Sequence, residues 1–314
     1  MNSDVNLTPE LFKPAPKENK NAEKIRRPSI KYWPDVWRRL KLNHLAMTGL
    51  FVVVFCAIMA FVGTRINDFT YFEQDYRLIN MKPDSIHWFG TDELGRDLFT
   101  RTWFGVRYSL FIGVAAAAID FIIGVLYGGT AGIASRKADS VMMRIAEVVY
   151  SVPYLLVVIL VSVVFSSVGQ GSSMFVLIFS LSLTDWVPMA ILVRGQVLQL
   201  KESEYALASE SIGASKAWIL RKHILPNTLG PILVSITLTI PRAIFAEATL
   251  GFLGLGLQAP KSSLGTLANE GLAGLAIGNA YQIFIPAIFI SLIMFAFNVL
   301  GDGLRDALDP RLRK

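Results

Sequence analysis

Cysteine, histidine and charge are all scarce in this chain of 314 residues, and each shortage closes off a class of function. Cysteine occurs once, at Cys56 inside an apolar run, so neither a disulfide framework nor a Cys-based metal site is available. The three histidines, His44, His87 and His223, lie at the edges of apolar runs or between them, and none belongs to H-E-x-x-H or a ligand pair at helical spacing. That removes metal catalysis, and it leaves no Ser-His pair for an intramembrane hydrolase. No G-x-x-x-x-G-K-[ST] occurs, so the chain offers no phosphate cradle of that type. Charged residues make up 17% of the chain, against roughly a quarter in soluble proteins.

What fills the space is apolar. The chain is 53% hydrophobic, its mean hydropathy is +0.48, and the apolar residues gather into runs near the roughly 20 residues that cross a bilayer as helix. The net charge of +6 does not mark nucleic acid, because Lys and Arg cluster at the ends of apolar runs, where anionic cytoplasmic lipid attracts them. An all-α polytopic membrane protein follows, with membrane lipid as solvent and no nucleic-acid partner.

Six spans are expected, at 45–63, 110–133, 148–165, 174–193, 229–250 and 282–300. Residues 1–43 form a polar, Lys-rich tail whose end, with Tyr32, Trp33 and Trp37, approaches the interface; 44–314 is the membrane domain. Basic residues follow the second, fourth and sixth spans, so the positive-inside rule places both termini in the cytoplasm. Residues 64–109 and the Gly-rich stretch 251–281 then lie outside, and 195–228 is the largest internal cytoplasmic loop. Gly124, Gly128 and Gly132, at four-residue spacing, offer a face that another helix can approach closely. Pro231 and Pro241 interrupt the fifth span. In and just before 90–107, Asp92, Glu93, Arg96, Asp97 and Arg101 mixed with Trp88, Phe89 and Trp103 suit either an interfacial helix or a docking face for an external protein.

The cytoplasmic loop contains EYALASESIGASKAWILRKHILPN, which reads as helix, turn, helix with Gly213 at the turn. On pattern alone it serves equally as a hairpin for a protein groove or as an amphipathic helix on the bilayer. The segment resembles the EAA loop of permease subunits in binding-protein-dependent ABC importers. The triplet falls on Leu207, Ala208 and Ser209, the glycine on Gly213, and the closing apolar-Leu-Pro on Ile224, Leu225 and Pro226; Leu207 stands where the family has Glu. HWFGTDELGRDLFTR, EATLGFLGLGLQAP and GDGLRDALDPRLRK are similar to the peptide/nickel branch, and most so to C-type permease subunits of oligopeptide importers. The resemblance implies type I importer architecture and no enzymatic activity, in the plasma membrane of a prokaryote. It implies as partners a second permease subunit, two cytoplasmic ATPase subunits that hold ATP and Mg, and an extracytoplasmic peptide-binding protein. Tyr205, Ala206, Leu207, Ala208, Ser209, Gly213, Ile224, Leu225 and Pro226 would then form the surface that couples to the ATPase, with small side chains allowing close docking.

Charges inside spans are costly and mark candidate function. Asp120, Asp185, Arg242 and Glu247 are the candidates for a translocation path; alternatively they pair with neighbouring helices or cap a broken one. Arg242 and Glu247, five residues apart, do not face each other on a regular helix. A stand-alone carrier using Asp120, Asp185 and Glu247 as a cation route is the competing function, and such a carrier has no need of a cytoplasmic hairpin.

Overall fold

The computed structural model describes residues 32–167 and 173–309. Most of the polar tail, the stretch 168–172 within the loop between the third and fourth spans, and the terminal Arg311, Arg313 and Lys314 lie outside them. The elements in order are α1 (Tyr32–Leu42), α2 (His44–Val62), α3 (Leu98–Ile133), α4 (Arg136–Ser151), α5 (Tyr154–Ser167), α6 (Ser173–Ser182), α7 (Trp186–Leu200), α8 (Glu204–Ser211), α9 (Lys216–Ile219), α10 (Leu225–Phe252), α11 (Leu264–Ala276) and α12 (Tyr281–Leu308). Among the described residues the only β pairing is an isolated Thr91–Asp97 bridge.

Five stretches are long and apolar enough to cross a bilayer: His44–Arg65, Leu98–Ile133, Met174–Leu200, Lys216–Phe252 and Tyr281–Leu308. The third expected span, 148–165, is not one helix: α4 and α5 qualify only as a pair bent by 79°. Pro153 causes the bend, because a residue before proline is driven out of helical geometry, and Val152 is extended at φ −75°, ψ 123°. Pro188 likewise removes the N–H that would bond the Thr184 carbonyl, and the chain breaks between α6 and α7 at 183–185. The Thr184 carbonyl accepts instead from Val187 N at 3.3 Å, and the Leu183 carbonyl from Trp186 Nε1 at 3.0 Å. Pro231 and Pro241, by contrast, leave α10 unbroken.

The helix of the second span starts well before 110, at Leu98. Asp97 caps it, accepting from Thr100 N at 2.8 Å. Trp103 is therefore buried at 3% exposure in the bundle rather than at headgroup depth, and of the three aromatics named above only Trp88 is exposed. The Gly-rich stretch also holds a helix, α11, which is too short to span and is fixed by a Ser263–Thr266 capping box.

Long and central, α3 packs on α2, α6, α7, α10 and α11. Its glycine face meets α7: a Cβ at Gly124 would lie 2.5 Å from Met189, one at Gly128 2.2 Å from the Ala190 carbonyl oxygen, and one at Gly132 2.5 Å from Val197. These contacts rise in step along both helices, so α3 and α7 run in the same direction. α1 packs through Val36 and Leu40 on Ala307 and Leu308 of α12, which brings the two described chain ends together. α12 and α10 meet the same cluster, so those ends share the side of the bundle that carries α8 and α9.

Candidate functional site

α8 and α9 form a hairpin joined to the bundle by α7 and α10. Its turn depends on Gly213, whose φ of +90° is left-handed, with nothing within 4 Å of where a Cβ would be. Ser215 then caps α9 through Trp218 N at 3.3 Å. Ala206, Ile219, Leu220 and Ile224 are buried with Met189, Val193 and Val197, fastening the hairpin to α7. Five residues of π-helix, Leu220–Ile224, join α9 to α10, an irregularity often found at functional sites. Tyr205, Leu207, Ala208, Gly213 and Pro226 point outward, with Ile212 at 87% and Trp218 at 44% exposure. The expected set therefore divides. The small side chain of Ala206 serves close packing within the chain, and Ile224 is core, whereas the outer face carries larger apolar groups.

The four span charges divide as well. Glu247 is fully buried; its Oε2 accepts from Ser109 Oγ at 2.8 Å, and the Ser109 Oγ in turn accepts from Leu264 N at 3.3 Å. Through Ser109 it ties α10 to α3 and to the start of α11. Asp120, Asp185 and Arg242 come together from α3, the α6–α7 break and α10, within electrostatic reach of one another. Gly124 lies against the Trp186 backbone, which sets Asp120, one turn earlier, beside the break. Arg242 also lines a cavity of about 460 Å³ that runs along α10, past Ser235 and Pro231, to Arg305 and Asp309.

At the other end of the bundle, residues 66–97 fold without helix or sheet around buried charge. Arg101, 1% exposed, bridges Asp92 and Glu270, the latter at 2.9 Å. Arg96 contacts the same two carboxylates, each at 2.7 Å. His87 Nδ1 meets Asp97 Oδ1 at 2.9 Å. Asp84 accepts from the backbone N–H groups of His87 and Ile86, which hold its carboxyl below the usual carboxylate range. Sequence reasoning missed this clamp. Asp92 and Arg96 show i, i+4 spacing, but nothing in the sequence points to Glu270, 169 residues beyond Arg101.

Residues 121–314 match the model of the binding-protein-dependent transport system inner membrane component, and 31–83 match the N-terminal TM domain of oligopeptide transport permease C. The chain belongs to the binding-protein-dependent transport permease family. It is 54% identical over 297 residues to the dipeptide transport system permease protein DppC of Bacillus subtilis, covering 95% of this chain and 91% of that one. To the oligopeptide permease OppC of the same organism it is 47% identical over 309 residues, 98% and 99% of the two chains. The OppC of Salmonella typhimurium is 40% identical over 93% of this chain and 95% of its own. A solved inward-facing structure of the MetNI methionine ABC transporter shares the fold, with a TM-score of 0.52 and 20% identity over 65% of this chain and 94% of that one.

The permease is thus a multi-pass protein of a prokaryotic inner membrane. As in its family, it catalyses no reaction, and ATP is hydrolysed on separate subunits. Within it, Glu247→Ala is expected to cost about 1–3 kcal/mol by stripping a buried hydroxyl of its acceptor. Hydrogen exchange at the Leu264 amide should then speed up, while Glu247→Gln preserves protection. Equal protection in Glu247→Ala and wild type would show that the carboxyl does not secure α11.

Proposed function

We propose that this permease is one of two membrane subunits of an ATP-driven peptide importer of type I architecture, with 44–314 as its membrane domain and its hairpin end in the cytoplasm. The names of the DppC and OppC relatives support peptide as cargo. Arg136, Lys137, Lys201, Lys216, Arg221, Lys222 and Arg305 gather at the hairpin end, which supports that orientation. The partners are a second permease, two ATPase subunits at the hairpin and a peptide-binding protein at the 66–97 end.

The hairpin carries this reading. Tyr205, Leu207, Ile212 and Trp218 expose an apolar face that the described residues leave uncovered. The two arms of the hairpin are α7 and α10, which lead to Asp185 and Arg242. A push from the ATPase pair moves both arms, and ATP shifts the bundle between two packings only by holding the hairpin differently in each. Asp120, Asp185 and Arg242 are the path residues of this scheme, and Glu247 braces it.

Gly213→Pro tests the docking surface. Proline fixes φ near −65° against the observed +90° and removes the N–H that Gly213 donates to the Glu210 carbonyl at 2.9 Å, so the substitution breaks the turn. Co-purification on a tag in this chain is expected to lose the ATPase about tenfold or more while the second permease remains bound. Undiminished ATPase would move the docking surface off the hairpin.

A further inference from the structure

We propose that Arg242 binds the C-terminal carboxylate of a peptide in the groove between α7, α10 and α12. The proposal rests on the peptide-importer reading and names the end of the cargo that the path holds.

The groove is the cavity of about 460 Å³ that Arg242 lines, a volume typical of small-ligand sites. One stripe of α10 forms its floor: Pro231, Ser235, Leu238 and Arg242 recur at spacings of four, three and four residues and so share a helix face. Leu192 of α7 and Leu308 of α12 flank that stripe. A Cβ at Gly301 would lie 2.8 Å from Leu238 and one at Gly230 3.9 Å from Leu308, so α10 and α12 run antiparallel. At 1.5 Å per residue this register sets Arg242 about 12 Å deeper in the groove than Arg305, which stands at the mouth.

Arg242 lies about 26 Å along α10 from Leu225 and about 15 Å from Phe252, at bilayer depth, where a charge is costly unless it serves a partner or a path. The residue is exposed, and among the described residues it makes no hydrogen bond or ion pair. Asp120 and Asp185 act on it electrostatically, but neither pairs with it, so its N–H donors have no acceptor. A guanidinium presents those donors as a planar fork that matches a carboxylate or a phosphate. Depth decides between the two. Lipid phosphate stays at headgroup level, near Arg305, and the acyl chains that reach Arg242 carry no acceptor, whereas a peptide brings its carboxylate inside. At the mouth Asp309 lines the groove beside Arg305 and offsets its charge, so a carboxylate is held more weakly there than at Arg242. Arg242 rides on α10, an arm of the hairpin. Motion of α10 against α12 alters the groove and frees the carboxylate toward the mouth.

The test uses the whole importer in phosphatidylcholine nanodiscs, without its receptor, and equilibrium dialysis of labelled trialanine, trialanine amide and N-acetyltrialanine. Amidation removes the carboxylate and is expected to weaken binding about tenfold or more, whereas acetylation of the other terminus changes it less than about twofold. Arg242→Gln should bring trialanine down to the level of the amide without affecting the amide, and Arg242→Lys, which keeps the charge but not the fork, should recover part of the loss. If Arg242→Gln fails to assemble with the second permease, Ser235→Trp, which fills the groove, carries the test and should weaken trialanine about tenfold. Exchanging half of the lipid for phosphatidylglycerol should leave trialanine binding within about twofold; a tenfold loss would give the groove to anionic lipid and overturn the site. Equal binding of amide and free peptide, unchanged binding by Arg242→Gln or by the variant that replaces it, or no binding of trialanine by wild type would each overturn it as well. ATP-driven uptake of trialanine by receptor-supplied vesicles separates the two claims. Uptake without carboxylate-dependent binding removes this site and leaves the importer standing; absence of uptake removes the importer.

Discussion

Arg101→Ala is expected to loosen the whole 66–97 segment from α3 and α11 and to cost about 3–5 kcal/mol, the usual penalty for breaking a buried ion pair from one side. Arg101 Nη1 reaches both Asp92 and Glu270, and Nη2 donates to Glu270 at 3.2 Å. Without it, two carboxylates share Arg96 alone, and Asp92 is 4% exposed, so water cannot make up the difference. Hydrogen exchange should accelerate across 78–97 and along α11, with a matching fall in thermal stability of the purified importer. Arg101→Lys restores the charge without the planar fork that spans two carboxylates, so it recovers only part of the loss. Arg77→Ala is the control. Arg77 pairs with Asp75 at 3.2 Å, but its side chain is 90% exposed, and surface pairs of this kind contribute about 0–1 kcal/mol. Arg101→Ala behaving like Arg77→Ala would mean that the clamp does not hold the segment.

The contrast between these arginines shows what a sequence can and cannot carry. Apolar runs were legible because bilayer thickness imposes a length, and every expected span overlaps helix in the structure. Their ends were less so. The first turns of α3 hold Arg101 and Arg107 and therefore read as loop, although Asp92, Glu270 and the Ala60 carbonyl pair with those side chains inside the fold. Pro153 and Pro188 bend or break the chain, whereas Pro231 and Pro241 do not; tertiary packing decides between those outcomes, and the letters are the same. In the Gly-rich stretch, glycine reads as turn. Gly265, Gly271 and Gly274 instead let α11 press against Ala248 and Gln282, partners that no local pattern reveals. Of the candidate site, the hairpin turn at Gly213 was readable from local spacing. The meeting of Asp120, Asp185 and Arg242 was not, since it depends on the register of three helices.

That register rests on Gly128, and Gly128→Ala is expected to lower stability despite alanine's advantage within a helix. Replacing an unpacked helical glycine by alanine gains about 0.5–1 kcal/mol. At Gly128 the new methyl would lie 2.2 Å from the backbone oxygen of Ala190, which no side-chain rotation can move aside. Overpacking costs about 1–3 kcal/mol where neighbours yield, and here two helices have to separate, so the clash outweighs the propensity. The displacement falls between α3 and α7 and pulls Asp120 away from Asp185, so peptide uptake should drop further than the yield of assembled importer. Gly195, in the exposed face of α7, has nothing within 4 Å of its missing Cβ. Gly195→Ala is accordingly expected to be neutral or to raise the melting temperature. Both substitutions add the same methyl to the same pair of helices, so thermal scans of the two purified variants isolate contact from propensity. Equal shifts would show that the glycine ladder does not set the spacing of α3 and α7.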